Sequence, residues 1–385
     1  MRKVIVLTGG GSGGHLTPVI SVAEALRKQA PEYSLVYIGQ KGDSLGDIMH
    51  EHPVFNHVYT VKAGKFRRYH GQGIKQLLDL KTFLLNVRDL FYVFVGFVQA
   101  LFLLAKLKPR VLFCKGGFVG VPVGLAAAIM RIPYVTHDSD AIPGLANKII
   151  GRWAKVHAVA MAKEQYNYPA HKTITVGVPV QTQFKRKTTD SQRAARQKLG
   201  ILQRDWVLFV IGGGQGAERV NQAVIEAVPA LFKKIPNLYI LHVAGRRGED
   251  SVRQAYDNLP DNLRTRVSVF GFTKDVATLG EASDVAITRA GATNLAEFAL
   301  QGMACVIVPN PLLTGGHQLK NAQAYADANA ALILSEQNLG SLAEMVVLLH
   351  DNKQKQNELS ENITKFANKQ AAQSLAGVLL TAVRK

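Results

Sequence analysis

The chain has 385 residues, 47% of them hydrophobic and 19% charged, with a formal net charge of +18. This composition supplies ample core for two domains and excludes a disordered chain. The two cysteines, Cys114 and Cys305, lie in apolar, strand-like runs without metal-ligand spacing, so they read as buried thiols of a reducing compartment.

The charge is uneven: residues 1–180 carry 22 Lys/Arg against 10 Asp/Glu. A basic half suits an anionic partner. No nucleic-acid module and no aromatic-rich basic stripe is present, so the expectation is membrane headgroups or a phosphorylated substrate. The first residues pass directly into a fold-forming strand, without the regions of a signal peptide, which predicts a protein of the cytosol or its membrane face.

In chain order, Lys3–Leu7 is a short β-branched run of the kind that forms a buried parallel strand. From Pro18, read as a first-turn proline, Val19, Val22, Ala23 and Leu26 recur at helical spacing. The intervening TGGGSGGH is a strand-to-helix turn, where the orphan N–H groups of a helix start favour a phosphate. Gly9, Gly11 and Gly14 satisfy G-x-G-x-x-G, which alone is a weak signal. A dinucleotide site also needs an acid after the second strand. That strand falls at Leu35–Ile38 and is followed by Gln40 and Lys41, which argues against a nicotinamide-dependent oxidoreductase.

Between Leu77 and Pro109 the chain is strongly apolar, and from Leu90 to Ala105 only Gln99 interrupts it. That run falls short of the ~20 residues of a spanning helix. Two readings stand: core helices packed on a sheet, or a face dipping into a membrane beside Lys65, Arg67, Arg68 and Lys75. Different faces can serve both.

Further strands are expected at Val111–Cys114, Tyr134–Thr136 and Val156–Val159, and residues 166–184 loosen into a connection. Then the opening logic repeats: strand Val207–Ile211, glycines at 212, 213, 214 and 216, and a helix from about Glu218. Strands near Tyr239–Val243, Val267–Phe270, Val285–Thr288 and Cys305–Val308 follow. The pattern predicts an α/β protein of two Rossmann-like, doubly wound domains facing each other across a cleft, residues 1–165 and 175–365.

GGGSGGHLTP, AGKFRRY, KGGFVGVPVGLAA, HDSDAIPGLANK, GGGQGAERVN, TRAGATNLAEFALQG and GGHQLKNA occur in that order, from residue 3 to about residue 335. Together they resemble the MurG family of bacterial UDP-N-acetylglucosamine transferases. The resemblance implies a GT-B fold whose C-terminal helix, about 366–385, crosses back to the first domain. It also implies an inverting transfer from UDP-N-acetylglucosamine to the 4-hydroxyl of the muramyl sugar of lipid I, an undecaprenyl-pyrophosphate lipid, forming lipid II. The enzyme is then peripheral at the cytoplasmic face of the membrane and takes no cofactor.

Site residues carry over by matching position. On the acceptor side the resemblance implies Gly11, Arg67 and Arg68. The turn Ser12–Gly13–Gly14 faces the acceptor pyrophosphate and the donor sugar. His15 is one base candidate, and His137, at a sheet edge, is a second. Lys115–Gly116–Gly117 either shapes the same pocket or leaves Lys115 as a surface charge. On the donor side, Ala292, Thr293 and Asn294 open a helix whose N–H groups suit a phosphate. Glu297 matches the glutamate on the ribose hydroxyls, Phe272 the position whose backbone holds uracil, and Gln318 and Asn321 the sugar contacts, with His317 beside them.

Four departures fall near the nucleotide-sugar: Asp140 stands for Asn, Gln181 for Arg, Gly214 for Ser and Asp138 for Glu. Asp138 and Asp140 also form a D-x-D, which holds a divalent metal in another transferase class; the matching blocks favour the metal-independent fold. Two rival functions remain: UDP-hexose transfer to another polyprenyl or glycerolipid acceptor, and a non-catalytic membrane scaffold that binds no UDP.

Overall fold

The computed structural model describes residues 3–10, 13–42, 46–66, 80–214 and 216–383, which form two compact units. The first comprises the chain to Gln181, Leu312–His317 and the chain from Asn368; the second comprises Thr182–Pro311 and Gln318–Ala367.

The first unit is a seven-stranded parallel sheet: β1 Lys3–Thr8, β2 Tyr33–Gln40, β3 His57–Val61, β4 Val111–Cys114, β5 Tyr134–Asp138, β6 Val156–Val159 and β7 Thr173–Thr175, in the order β3-β2-β1-β4-β5-β6-β7. Its helices are α1 Gly13–Gln29, α2 Gly46–Glu51, α3 Leu80–Leu107, α4 Gly120–Ile129 and α5 Leu145–Ile150. The strand order reverses between β1 and β4, so the turns after Thr8 and Cys114 lie side by side at the carboxyl edge, where such sheets bind ligands.

The second unit repeats the plan with β8 Trp206–Ile211, β9 Leu238–Val243, β10 Val267–Phe270, β11 Val285–Thr288, β12 Ala304–Ile307 and β13 Leu332–Ile333, ordered β10-β9-β8-β11-β12-β13. Its helices are α6 Thr189–Leu199, α7 Glu218–Lys234, α8 Glu249–Asp257, α9 Asp261–Arg264, α10 Val276–Ala282, α11 Ala292–Gln301, α12 from His317 to Asp327, α13 Leu342–Asp351 and α14 Lys353–Asn362. Here the switch point lies between β8 and β11.

The central strands are fully buried on both faces, which is why they read as unbroken apolar runs rather than alternating ones. Of the edge strands, β10 is legible, whereas β3 and β7 mix polar and apolar residues and β13 is only two residues long, so these three are not read from the sequence. Helix α1 starts at Gly13, five residues before Pro18, so the proline sits inside the helix rather than in its first turn. The last helix, α15 Ala371–Ala382, packs on α1 through Leu375, Ala376 and Leu379 and completes the first unit's core.

Helix α3 corrects the expectation of a run too short to span. It is one helix of 28 residues, and Thr82–Leu107 has a mean hydropathy of 2.1, long and apolar enough to cross a membrane by length and composition. Its inner face is nevertheless built into the unit. Ala100 and Leu104 are fully buried, and Gln99 Oε1 accepts from the Lys62 N–H at 2.8 Å. Gly64 and Gly96 let backbones meet: a Cβ at Gly64 would overlap the Asp89 carbonyl, and one at Gly96 the Lys62 carbonyl. The outer face is bare, with Leu84, Leu90, Phe91, Phe94 and Phe102 all more than half exposed.

Candidate functional site

In the first unit the site grows from the paired turns after β1 and β4. The Tyr37 hydroxyl donates to the Gly9 carbonyl, and the Lys115 N–H to the Thr8 carbonyl at 2.9 Å, so both turns are held from behind. Gly117 has φ +74°, and a Cβ there would lie 2.7 Å from the Gly10 oxygen and 3.4 Å from His15 Nε2. Only glycine lets the two turns approach and the imidazole lie against the second one.

His15, the third residue of α1, is half-buried. Burial, then the Lys115 charge, pulls its pKa down to about 3, with Asp140 opposing and His317 adding a smaller lowering. His15, Lys115, Asp140 and His317 therefore form one electrostatic cluster. Asp140 is half-buried, and its carbonyl accepts from the Tyr166 hydroxyl at 2.7 Å. His317 closes a short segment, Leu312–His317, that belongs to this unit, with Gly315 beside Ile142. Gln181 is half-buried at the unit's last position. Gly13 and Gly14 form the first residues of α1, whereas Gly11, Ser12, Arg67 and Arg68 lie outside the described residues.

One expectation needs correction, and one alternative reading loses support. His137 is fully buried, and its Nε2–H donates to the Gly177 carbonyl at 2.9 Å. Burial lowers its pKa to about 3, and Nδ1 is buried without a partner. This imidazole pins the return of the chain; with its ring fully buried and Nε2 engaged, it lacks the access of a catalytic base. Asp138 is likewise occupied: Oδ1 accepts from the Gly144 N–H at 3.0 Å and Oδ2 from the Tyr168 hydroxyl at 2.9 Å. It is a structural acceptor, not an open half of a D-x-D metal site.

In the second unit the switch point carries two more turns. Gly214, in the turn after β8, is exposed, and a Cβ there meets nothing within 4 Å, so the glycine in place of serine reflects no steric demand. Helix α11 begins at Ala292 with Gly291 as N-cap and no side-chain cap hydrogen bond. Glu297, one turn in, is buried, and its carboxyl makes no hydrogen bond or ion pair among the described residues. Burial raises its pKa to about 8.

Phe272 is 42% exposed, and the Arg246 guanidinium lies over its ring, 4.7 Å from the centroid. Gln318 Oε1 accepts from the Asn310 N–H at 2.9 Å. Asn321 is fully buried and donates from Nδ2 to the Ala290 carbonyl at 2.9 Å, so it supports the turn before α11 instead of meeting a ligand directly, which corrects the expected sugar contact.

The same turn is held by residues the motifs did not single out. Arg289 pairs with Glu336 at 2.5 Å and donates to the Val308 carbonyl at 3.2 Å. Behind the second glycine turn, His242 bridges the Tyr256 hydroxyl at 2.8 Å and Asn221 Oδ1 at 3.2 Å, while Asn221 Nδ2 donates to the Ala244 carbonyl. The signal available in sequence was position: Arg289 and Lys115 each follow a buried strand and lie within two residues of a glycine, which puts them at a carboxyl edge.

Comparisons with known proteins agree with this geometry. Residues 5–159 match the glycosyltransferase family 28 N-terminal domain, and residues 207–375 match its C-terminal domain. A curated relative from Bacillus cereus, UDP-N-acetylglucosamine--N-acetylmuramyl-(pentapeptide) pyrophosphoryl-undecaprenol N-acetylglucosamine transferase 2, is 32% identical over 377 residues, covering 97% of this chain and 98% of its own. Among solved structures, MurG from Acinetobacter baumannii superposes with a TM-score of 0.70 at 22% identity, covering 98% of this chain and 99% of its own. The UDP-GlcNAc 2-epimerase of Neisseria meningitidis, bound to UDP-GlcNAc, gives 0.69 at 12% identity, covering 98% and 100%. At those identities the structures establish the fold.

Proposed function

The chain belongs to glycosyltransferase family 28, and from that premise we propose that it transfers N-acetylglucosamine from UDP-N-acetylglucosamine to the muramyl 4-hydroxyl of lipid I, forming lipid II. It is a hexosyltransferase of peptidoglycan precursor synthesis. The observation that carries the reading is the uncapped start of α11 with the buried, unpartnered Glu297 one turn inside it. A diphosphate suits the N–H groups, and a ribose diol suits a carboxylate with free lone pairs.

In this reading UDP lies over the second unit's switch point. The N–H groups of Ala292, Thr293 and Asn294 face a donor phosphate, Glu297 accepts from the ribose hydroxyls, and the Phe272 segment borders the uracil. Gln318, Gly214, Gln181 and Asp140 border the nucleotide-sugar, and Asn321 positions the α11 turn. The acceptor hydroxyl attacks the anomeric carbon, the bond to the UDP oxygen breaks, and the hydroxyl proton passes to His15. Charge then develops on the leaving diphosphate, where preorganised donors act most strongly.

The outer face of α3 supplies the membrane contact. Its large exposed apolar side chains form a surface that headgroups and acyl chains can cover, while its packed inner face keeps it on the unit. The protein is thus a peripheral one on the side where the nucleotide-sugar is supplied. A donor screen with purified protein and a lipid I analogue, scored by UDP release, tests the reaction: release with UDP-N-acetylglucosamine is expected, and preference for another UDP-hexose overturns it.

A further inference from the structure

Glu336 follows β13 at the carboxyl edge of the second sheet, and its side chain is 3% exposed. Its backbone is fixed on both sides. The Leu334 N–H donates to the Ile307 carbonyl at 2.9 Å, and Ser335 Oγ accepts from the Gln337 N–H at 3.2 Å. The buried carboxylate holds two guanidiniums, Arg289 at 2.5 Å on Oε1 and Arg219 at 2.8 Å on Oε2. The Arg289 side chain is 8% exposed, whereas that of Arg219 is 62% exposed.

The two arginines come from different elements. Arg289 follows β11 and donates to the Val308 carbonyl, just past β12, on its way to Glu336. Arg219 is the second residue of α7. A cation in the first turn of a helix opposes the positive end of the helix dipole, where an acid is the stabilising choice. Glu336 offsets that cost, yet one carboxylate between two guanidiniums still leaves a net positive charge at this edge.

The bridge joins the two helix starts of the switch point. The strand order reverses between β8 and β11, and α7 and α11 are the helices that follow these strands. Asn221 anchors the first turn of α7 to the Ala244 carbonyl, and Asn321 anchors the turn before α11 through the Ala290 carbonyl. Each of those anchors serves one helix. Glu336 ties the two to each other.

We propose that Glu336 is a positioning residue for the donor nucleotide-sugar: acting through Arg219 and Arg289, it fixes the start of α7 against the turn before α11. The inference rests on the transfer reading above, in which the start of α11 receives a donor phosphate. It adds the second helix start and the carboxylate that holds the two in register. A displacement of about 1 Å in such a constellation costs on the order of a hundredfold in rate.

Positioning and simple charge have opposite consequences. Glu336→Gln keeps the shape of the side chain and removes a negative charge from the edge. A carboxylate acting only through its field repels an anionic nucleotide, so its removal would tighten UDP binding. Loss of a positioning carboxylate instead frees Arg219, leaves Arg289 buried without its counter-ion, and weakens UDP binding.

The test compares the full chain with Glu336→Gln, Arg219→Met, Arg219→Lys and the double variant Glu336→Gln/Arg219→Met, by UDP calorimetry, thermal unfolding and steady-state kinetics. UDP Kd should rise roughly tenfold in Glu336→Gln and roughly threefold in Arg219→Met, and the double variant should be no weaker than Glu336→Gln alone. Donor KM should rise in step while acceptor KM stays unchanged. Arg219→Met should keep a Tm close to wild type, because the arginine is largely exposed, so its loss of affinity is not unfolding. Arg219→Lys should restore part of the affinity. Tighter UDP binding by Glu336→Gln overturns the proposal, as does a lowered Tm with unchanged UDP Kd, which would leave the cluster a fold element only. If Glu336→Gln fails to fold, Arg219→Met decides: unchanged UDP affinity there overturns the proposal. A wild-type protein that binds no UDP refutes the donor reading and the proposal together, whereas wild-type binding that the variants leave unchanged refutes the proposal alone.

Discussion

The Tyr168 hydroxyl donates to Asp138 Oδ2 at 2.9 Å and the Gly144 N–H to Oδ1 at 3.0 Å, so both oxygens of the first half of the D-x-D already hold the chain. Asp140 is left as a single carboxylate whose field supports the Lys115 and His15 charges. Transfer activity should therefore survive EDTA, and Asp140→Asn should keep activity within about tenfold, since a neutral amide still accepts from a sugar hydroxyl. Loss of turnover in EDTA with recovery in manganese or magnesium would reinstate the metal reading.

Glu297 should respond to both mutation and pH. Glu297→Ala should weaken UDP binding by roughly 1.5–3 kcal/mol, the worth of hydrogen bonds to a charged group. With its carboxyl raised to about 8 by burial, the empty site holds a proton at neutral pH. Accepting from two ribose hydroxyls favours the ionised form, so that proton must leave on binding. UDP affinity should rise between pH 7 and 8, by up to about tenfold per unit, and flatten above. Calorimetry in buffers of different ionisation enthalpy checks the proton release; a pH-independent affinity in that range removes the carboxylate from the ribose.

Acid should destabilise the protein through its buried histidines. His137 and His242 are held neutral, each lowered from 6.5 to about 3 by burial. The unfolded chain therefore binds more protons below pH 6.5, and stability falls from there toward pH 3, with none of this loss above 6.5. At pH 5 each contributes a loss on the order of 2 kcal/mol. Urea unfolding of wild type and His242→Gln at pH 7 and 5 measures it: the variant should lose less on acidification, and equal losses would refute the assignment.

The α3 surface predicts reversible lipid binding. The protein should float with vesicles containing anionic lipid at low salt and should be released by high salt or carbonate. Replacing Phe91, Phe94 and Phe102 with Ser should weaken flotation while leaving the fold intact, because all three are more than half exposed. Retention after carbonate extraction would show that α3 leaves its seat on α4 and inserts.

The sequence by itself determined the sheet and the turns. Buried parallel strands must be apolar on both faces, so β1, β4, β8 and β11 are readable as runs, and a glycine cluster after such a run marks a carboxyl-edge turn. It also determined that Glu297 is set in an otherwise apolar stretch, LAEFAL, which is why its burial is no surprise. Edge strands β3 and β7 carry too little apolar signal to be seen, and β13 is only two residues long. What only the tertiary structure decided is which polar residues face the edge and which are spent holding it. His137, Asp138 and Asn321 belong to motifs as much as His15 and Glu297 do, yet Gly177, Tyr168 and Ala290 occupy them. Lys115 reads equally as a surface charge or as part of a pocket, and only the packing of the two turns shows it buried and unpaired. The physical reason is that a strand or turn is specified by the side chains along it, whereas hydrogen-bond partnership depends on groups that sequence separates by tens of residues.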